Sequence, residues 1–257
     1  MDSIEAAGRT LAAARTGEAL EGLPEPMRPR DLAGAEAIQH ATLAALGEGI
    51  GGWKVGRHGG HPCSAPFPAS GVAEDAGDLS VALPAGSLIE LEIAIRFHAT
   101  VPPVGIAALR PEDLPGLADI ATLFEFVQQR FTPTAATGPL DRIAECLGNN
   151  GGAVRTGGPA WSMAMLDAPP VTRLSQGGAV LARHEGPHVA VPIRPLVETW
   201  IARLAREGLG IEAGQVLTFG SLTGLQPIPA DGAAYLGEVE GLAPLHCAVH
   251  VHGVKKP

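Results

Sequence analysis

The chain has 257 residues, a formal net charge of −9 and a hydrophobic fraction of 46%. That is enough material for a sizeable buried core, in one large domain or in a domain with a small helical lobe. The acidic balance, with no Lys/Arg cluster to follow a phosphate backbone, excludes a nucleic-acid partner, and no apolar run approaches the roughly 20 residues that span a bilayer.

Three cysteines, Cys63, Cys146 and Cys247, show no CxxC spacing, and the N-terminus lacks a basic segment followed by an apolar core. Both features point to a reduced, cytoplasmic setting with indifferent thiols. In chain order, Ser3 can cap a helix carrying Ile4, Ala7, Leu11 and Ala14. Asp31 can cap a second that presents Leu32, Ala35, Ile38, Leu43 and Leu46 before Gly47 stops it. From Gly51 onward Gly, Pro and β-branched residues take over. Residues 1–50 therefore read as an N-terminal helical lobe and 51–257 as a β-rich domain. Gly51 to Gly56 is a short strand, followed by an expected long loop from Arg57 to Gly86, a length that suits a functional segment.

The run Leu88 to Phe97 reads as a strand with Ile89, Leu91, Ile93, Ile95 and Phe97 on one face and Glu90 with Glu92 on the other. The two carboxylates attach roughly 6.5–7 Å apart. They read either as the solvated face of an ordinary amphipathic strand or as a platform for an oxygen-preferring dication, Mg²⁺ or Mn²⁺. Glu125, set between Phe124 and Phe126, is a candidate third acid, because burying an unpaired carboxylate there is costly.

Downstream, Val171 to His184 reads as a hairpin turning at Gly177-Gly178. Pro195 to Arg206 reads as an amphipathic helix ended by Gly208, and strands are expected at Gln215 to Phe219 and Leu245 to Val251. The alternating His246, His250 and His252 have zinc-like spacing, but no fourth ligand is near, and a terminal edge strand with a polar outer face explains them. The element pattern is α+β, with a mixed sheet or rolled sandwich.

Taken together, Gly52-Trp53-Lys54-Val55-Gly56, Ile89-Glu90-Leu91-Glu92-Ile93-Ala94, Leu123-Phe124-Glu125-Phe126-Val127 with Arg130, the turn around Asn149, and Gly214 to Thr223 form an ordered series. The series resembles the 2-keto-4-pentenoate hydratase group of the fumarylacetoacetate hydrolase superfamily, from about residue 30 to the C-terminus. The resemblance implies an N-terminal helical lobe packed on a C-terminal mixed β-roll, and Mg²⁺ or Mn²⁺ held by Glu90, Glu92 and Glu125. It also implies a small 2-oxo acid substrate and assembly into a homo-oligomer. Lys54 takes the family's Gly-x-Lys position, where it can orient the substrate carboxylate or, if its surroundings lower its pKa, exchange a proton; by itself it reads as a strand-end lysine reaching water. Ser221 and Asn149 are the expected substrate contacts, although a plain turn role also accounts for Ser221.

The departures carry information too. The loop after Lys54 has no acid before Glu74, the acid that usually follows the third glutamate is replaced by Gln128, and the later turn reads Gly148-Asn149-Asn150. His58 and His61 are the candidate replacements in proton transfer, with Glu74 and Asp75 as a simpler acidic turn. The expected activity is a metal-dependent hydro-lyase of unsaturated 2-oxo acids. Decarboxylation, C–C hydrolysis of a related 1,3-diketo acid through a His-Glu pair, or a catalytically weakened assembly subunit are the alternatives.

Overall fold

The computed structural model describes residues 3–77 and 79–253; Met1, Asp2, Asp78 and residues 254–257 lie outside it. Helix α1 (Ser3–Ala13) packs on α2 (Leu32–Leu46) so closely that a methyl group at Gly8 would lie 2.5 Å from the Ala41 backbone. Asp31 caps α2 by accepting the Gly34 N–H at 2.7 Å, and Gly47 ends it in the left-handed conformation (φ 69°). Ala7, Leu11, Ile38, Phe131, Ile143 and Ala144 bury the apolar sides of both helices.

Thirteen strands follow among the described residues. Those of the N-terminal half are β1 (Ile50–His58), β2 (His61–Pro68), β3 (Val72–Glu74), β4 (Ser80–Pro84) and β5 (Leu88–Phe97). After the short α3 (Pro103–Ile106) come β6 (Ala118–Val127), α4 (Pro139–Ala144), β7 (Asn149–Thr156), α5 (Met163–Asp167), β8 (Thr172–Gln176) and β9 (Ala179–His184). The chain ends with α6 (Arg194–Glu207), β10 (Val216–Thr218), β11 (Gln226–Pro227), β12 (Ala233–Val239) and β13 (Leu245–His252). One mixed sheet runs β2-β1-β10-β5-β6-β7-β3, with β11 added to β5; a second runs β4-β13-β12-β8-β9. The mixed α and β composition agrees with the element pattern read from the sequence.

The large sheet curls. A methyl at Gly152 on β7 would lie 3.4 Å from the ring of Phe67 on β2, so the two flanks approach each other around a small inner cluster of Ala94, Ala121, Leu123, Val154 and Val216. Outside, Ile93, Ile95, Phe97, Trp200 and Leu204 build the core under α6, while Ile89, Leu91, Phe124, Tyr235 and Leu245 seal the second sheet against the first. Both cores grip β5 from its apolar face and leave Glu90 and Glu92 to the inside of the curl.

Two expectations are corrected here. The segment 57–86 is not a loop: β2, β3 and β4 lie in it, because Gly59-Gly60 (φ 56° and 84°) turns β1 straight back into β2 and pairs His58 with His61. Strand β13 is not an edge, since it lies between β4 and β12. The hairpin at Gly177-Gly178 and the helix ended by Gly208 are found as expected. Among the described residues no helix is long and apolar enough to cross a membrane.

Candidate metal centre

Three carboxylates meet inside the curl. Glu90 and Glu92 come from alternate positions of β5, and antiparallel pairing sets Glu125 of β6 directly opposite Glu90. One ligand oxygen from each lies within 4.8 Å of the other two, and this is the only such cluster of metal-ligating side chains among the described residues. Glu92 and Glu125 are fully buried.

Parallel pairing of β1 with β10 places Lys54 beside Thr218, which in turn pairs with Ala94 on β5. From there Lys54 Nζ donates to Glu125 Oε1 at 2.6 Å, and the Thr218 hydroxyl donates to Glu92 Oε2. Asn149 Nδ2 donates to the same Glu125 oxygen at 3.1 Å, while Ser221 donates to Glu90. The remaining oxygens, Glu92 Oε1 and Glu125 Oε2, are buried without a partner.

The electrostatics are unbalanced. Three carboxylates against one ammonium leave two negative charges, and like charges about 4 Å apart repel by roughly 4 kcal/mol even at an effective dielectric of 20. Burial, reinforced by the neighbouring Glu125, pushes the Glu92 carboxyl well above the usual range, and Glu90 is raised for the same reasons. Burial alone lowers the Lys54 ammonium, but the attraction of Glu125, Glu92 and Glu90 outweighs it and holds Lys54 above its ordinary value. Against these carboxylates alone, Lys54 is thus held as a cation, which suits the expected role of orienting the substrate carboxylate; the lowered pKa that proton exchange would need is not met in this arrangement.

A dication fits this donor set. Two orphaned buried oxygens, an all-oxygen ligand trio and a charge deficit of two are what Mg²⁺ or Mn²⁺ satisfies.

Of the other candidates, His58 shares the inner face of β1 with Lys54, four residues on, and its imidazole is kept below the ordinary value by burial and by the nearby Arg142 and Lys54. His61 pairs with it across the hairpin and is exposed. Asn149 is fully buried, and its amide serves Glu125 and, through Oδ1, the Gly151 N–H at 3.2 Å. Ser221 Oγ also accepts the Gly224 N–H at 2.8 Å, so its turn role and its contact with Glu90 coexist.

The His-Glu pair expected for a hydrolase does not form. Glu74 is exposed and binds Arg96 at 2.9 Å, and it makes no hydrogen bond or ion pair with His58 or His61. Asp75 accepts the Gly77 N–H at 2.7 Å, within its own turn. Thr218 and the buried Arg130, which donates to Asn149 O at 2.6 Å and to Glu145, were not singled out as site residues from the sequence. A hydroxyl inside the apolar run Val216 to Phe219 was the available signal for the first.

Neither a protein-family model nor a curated protein matches the sequence. Solved structures do. The 4-oxalocrotonate decarboxylase from Pseudomonas putida G7, complexed with magnesium and adipate, superposes with a TM-score of 0.73 at 20% identity, covering 96% of this chain and 97% of its own. The same enzyme with calcium and acetate gives 0.71 at 19%, covering 96% of each chain. The chain has the fold of these enzymes. A 2-hydroxyhepta-2,4-diene-1,7-dioate isomerase from Mycobacterium marinum is more distant, with a TM-score of 0.51 at 15% identity over 79% of this chain and 77% of that one. The fold implied by the motif series, that of the fumarylacetoacetate hydrolase superfamily, is thus the fold found.

Proposed function

We propose that the chain is a divalent-metal-dependent lyase acting on a small unsaturated 2-oxo acid, with Glu90, Glu92 and Glu125 as the ligands of Mg²⁺ or Mn²⁺. The observation that carries this reading is the buried trio itself, with two orphaned oxygens and one fixed cation beside it. The decarboxylase of the same fold is complexed with magnesium in one structure and calcium in another, both hard dications. When bound, such an ion supplies a Lewis acid for the carboxylate and 2-oxo oxygens of the substrate.

Among lyase reactions, decarboxylation suits the residues best. A carboxylate carried on the saturated carbon next to the 3,4-double bond leaves as CO₂; its bonding pair shifts through that double bond onto the 2-oxo oxygen, which takes a proton from solvent to give a 2-hydroxydienoate. Lys54 holds positive charge where that negative charge develops and orients the substrate carboxylate. Ser221 presents a hydroxyl from the 220–224 turn. No base is required, and among the described residues no imidazole joins the carboxylate cluster; His58 stands four residues along β1 from Lys54.

Hydration of a 2-hydroxydienoate is the second reading, favoured by His58. An imidazole kept neutral on the inner face of β1 can accept a proton from a water that attacks the distal carbon of a long substrate. The test is ultraviolet spectroscopy of purified protein with Mg²⁺ or Mn²⁺. Formation of the dienol chromophore with CO₂ from a 2-oxo-3-enedioate supports decarboxylation, and its loss from a 2-hydroxydienoate with a hydrated product supports hydration. Neither change, with metal present, removes both. Assembly into a homo-oligomer belongs to the same reading and is checked by light scattering.

A further inference from the structure

A second polar cluster lies across the sheet from the trio. Arg15, just beyond α1, is 7% exposed, and its Nε and Nη2 have no hydrogen-bond partner. It lines a cavity of about 320 Å³ together with Thr16, Pro84, Gln128 and His252. Gln128 directly follows β6 on the parity of Phe124 and Phe126, not of Glu125, and its Oε1 is likewise buried without a partner.

The charge around Arg15 does not close. Arg130, 1% exposed, is the second guanidinium of the cluster, and both face the buried carboxylate of Glu145. Two guanidiniums against one carboxylate leave a net positive charge even with Glu145 ionised, and burial pushes that carboxyl up to about 7. Glu48 also feels Arg15, but it is only partly buried and engaged with Ser70. A buried cation without hydrogen bonds is costly and calls for an anion.

We propose that this cavity binds a small hydroxycarboxylate, its carboxylate on Arg15 and its hydroxyl donating to Gln128 Oε1. Nε and Nη2 form the side-on fork that matches a carboxylate in two parallel hydrogen bonds. Nε, Nη2 and Gln128 Oε1 are screened from solvent in this structure and held by no hydrogen bond, so the guanidinium and the amide turn to face the ligand on binding. The apolar wall of Pro84 suits the carbon body, and the volume sits at the small end of ligand pockets.

The experiment is isothermal titration of the full-length protein, with chelator present, using 3-hydroxybutyrate, butyrate and inorganic phosphate. Saturable binding of 3-hydroxybutyrate is expected, tighter than butyrate, unchanged in Lys54→Met and weakened about 100-fold in Arg15→Met, the loss of a bidentate charged contact. Gln128→Leu should abolish the preference for the hydroxy acid. Should Arg15→Met not fold, Arg15→Lys keeps the charge without the fork and is expected to bind about tenfold more weakly. The site is overturned by wild-type protein that binds neither carboxylate, by undiminished binding in the Arg15 variants, by loss of binding in Lys54→Met, or by tighter binding of phosphate than of either acid.

Discussion

Thr218 contributes one hydroxyl, yet that hydroxyl orients a fully buried carboxylate that has no other donor. Groups that hold metal ligands in place typically cost ten- to a hundredfold in affinity when removed. Thr218→Val keeps the shape and deletes the donor, so Mg²⁺ affinity measured by titration calorimetry should fall by about tenfold or more, with circular dichroism unchanged. Glu145 poses a different question at the same scale. Burial pushes it up to about 7 from an ordinary value of 4.5, while burial pushes its partner Arg130 down to about 10, so both shifts oppose charging this pair. An acid with a raised folded-state pKa keeps its proton in the folded chain after the unfolded chain has released it. Stability from this group is therefore full below about pH 4.5, declines as pH rises, and is lost above about 7. Urea unfolding of wild type and Glu145→Gln at pH 5 and pH 8 isolates the effect. The variant should gain roughly 3 kcal/mol relative to wild type between the two pH values, and a difference that does not change with pH refutes it.

At the scale of elements, the site depends on how closely β1 and β10 approach. Gly52 pairs with Val216, and a methyl group there would lie 2.5 Å from the Val216 side chain and 2.6 Å from its carbonyl oxygen. Gly52→Ala must push the strands apart two residues from Lys54, and overpacking of this kind costs about 1–3 kcal/mol. The expected result is a lower unfolding temperature together with a loss of kcat larger than any change in KM, because Lys54 moves relative to Glu125. An unchanged kcat would show that the strand pair does not set the position of Lys54. Strand alternation and the caps at Asp31, Gly47 and Gly208 were legible in the sequence, since each is a local signal. Two hairpins built on the same Gly-Gly turn fared differently. The one at Gly177-Gly178 has Thr, Leu and Val on its flanks; the one at Gly59-Gly60 is followed by His, Pro, Cys, Ser and Pro, whose loop-like composition hides a buried strand. Alternation placed Glu90 and Glu92 on one face, but the pairing of Glu90 with Glu125 and the docking of Lys54 beside Thr218 are cross-strand registers, set by tertiary packing. Asn149 illustrates the limit best: its neighbourhood depends on a turn in which Cys146 and Leu147 both take positive φ, a conformation their side chains give no reason to expect.

For the whole molecule, the trio is a charge defect at the junction of its two main cores. The apolar faces of β5 and β6 are clamped by α6 on one side and by the second sheet on the other, so the carboxylates cannot separate without disturbing both. Without a cation the folded state carries their repulsion and desolvation; the unfolded chain does not. Two opposite outcomes follow from one substitution. In metal-free buffer Glu92→Gln removes a buried carboxylate whose pKa burial has raised, so the variant should unfold at a higher temperature than wild type. With Mg²⁺ added, the order should reverse: an ion that binds only the folded state stabilises wild type by about 2.7 kcal/mol at a hundredfold excess over its dissociation constant, while the variant, lacking one ligand, gains little. Differential scanning calorimetry with chelator and with a series of Mg²⁺ concentrations reads both. A wild type whose unfolding temperature ignores Mg²⁺, or a metal-free variant less stable than wild type, would mean that the three glutamates are arranged for something other than a dication.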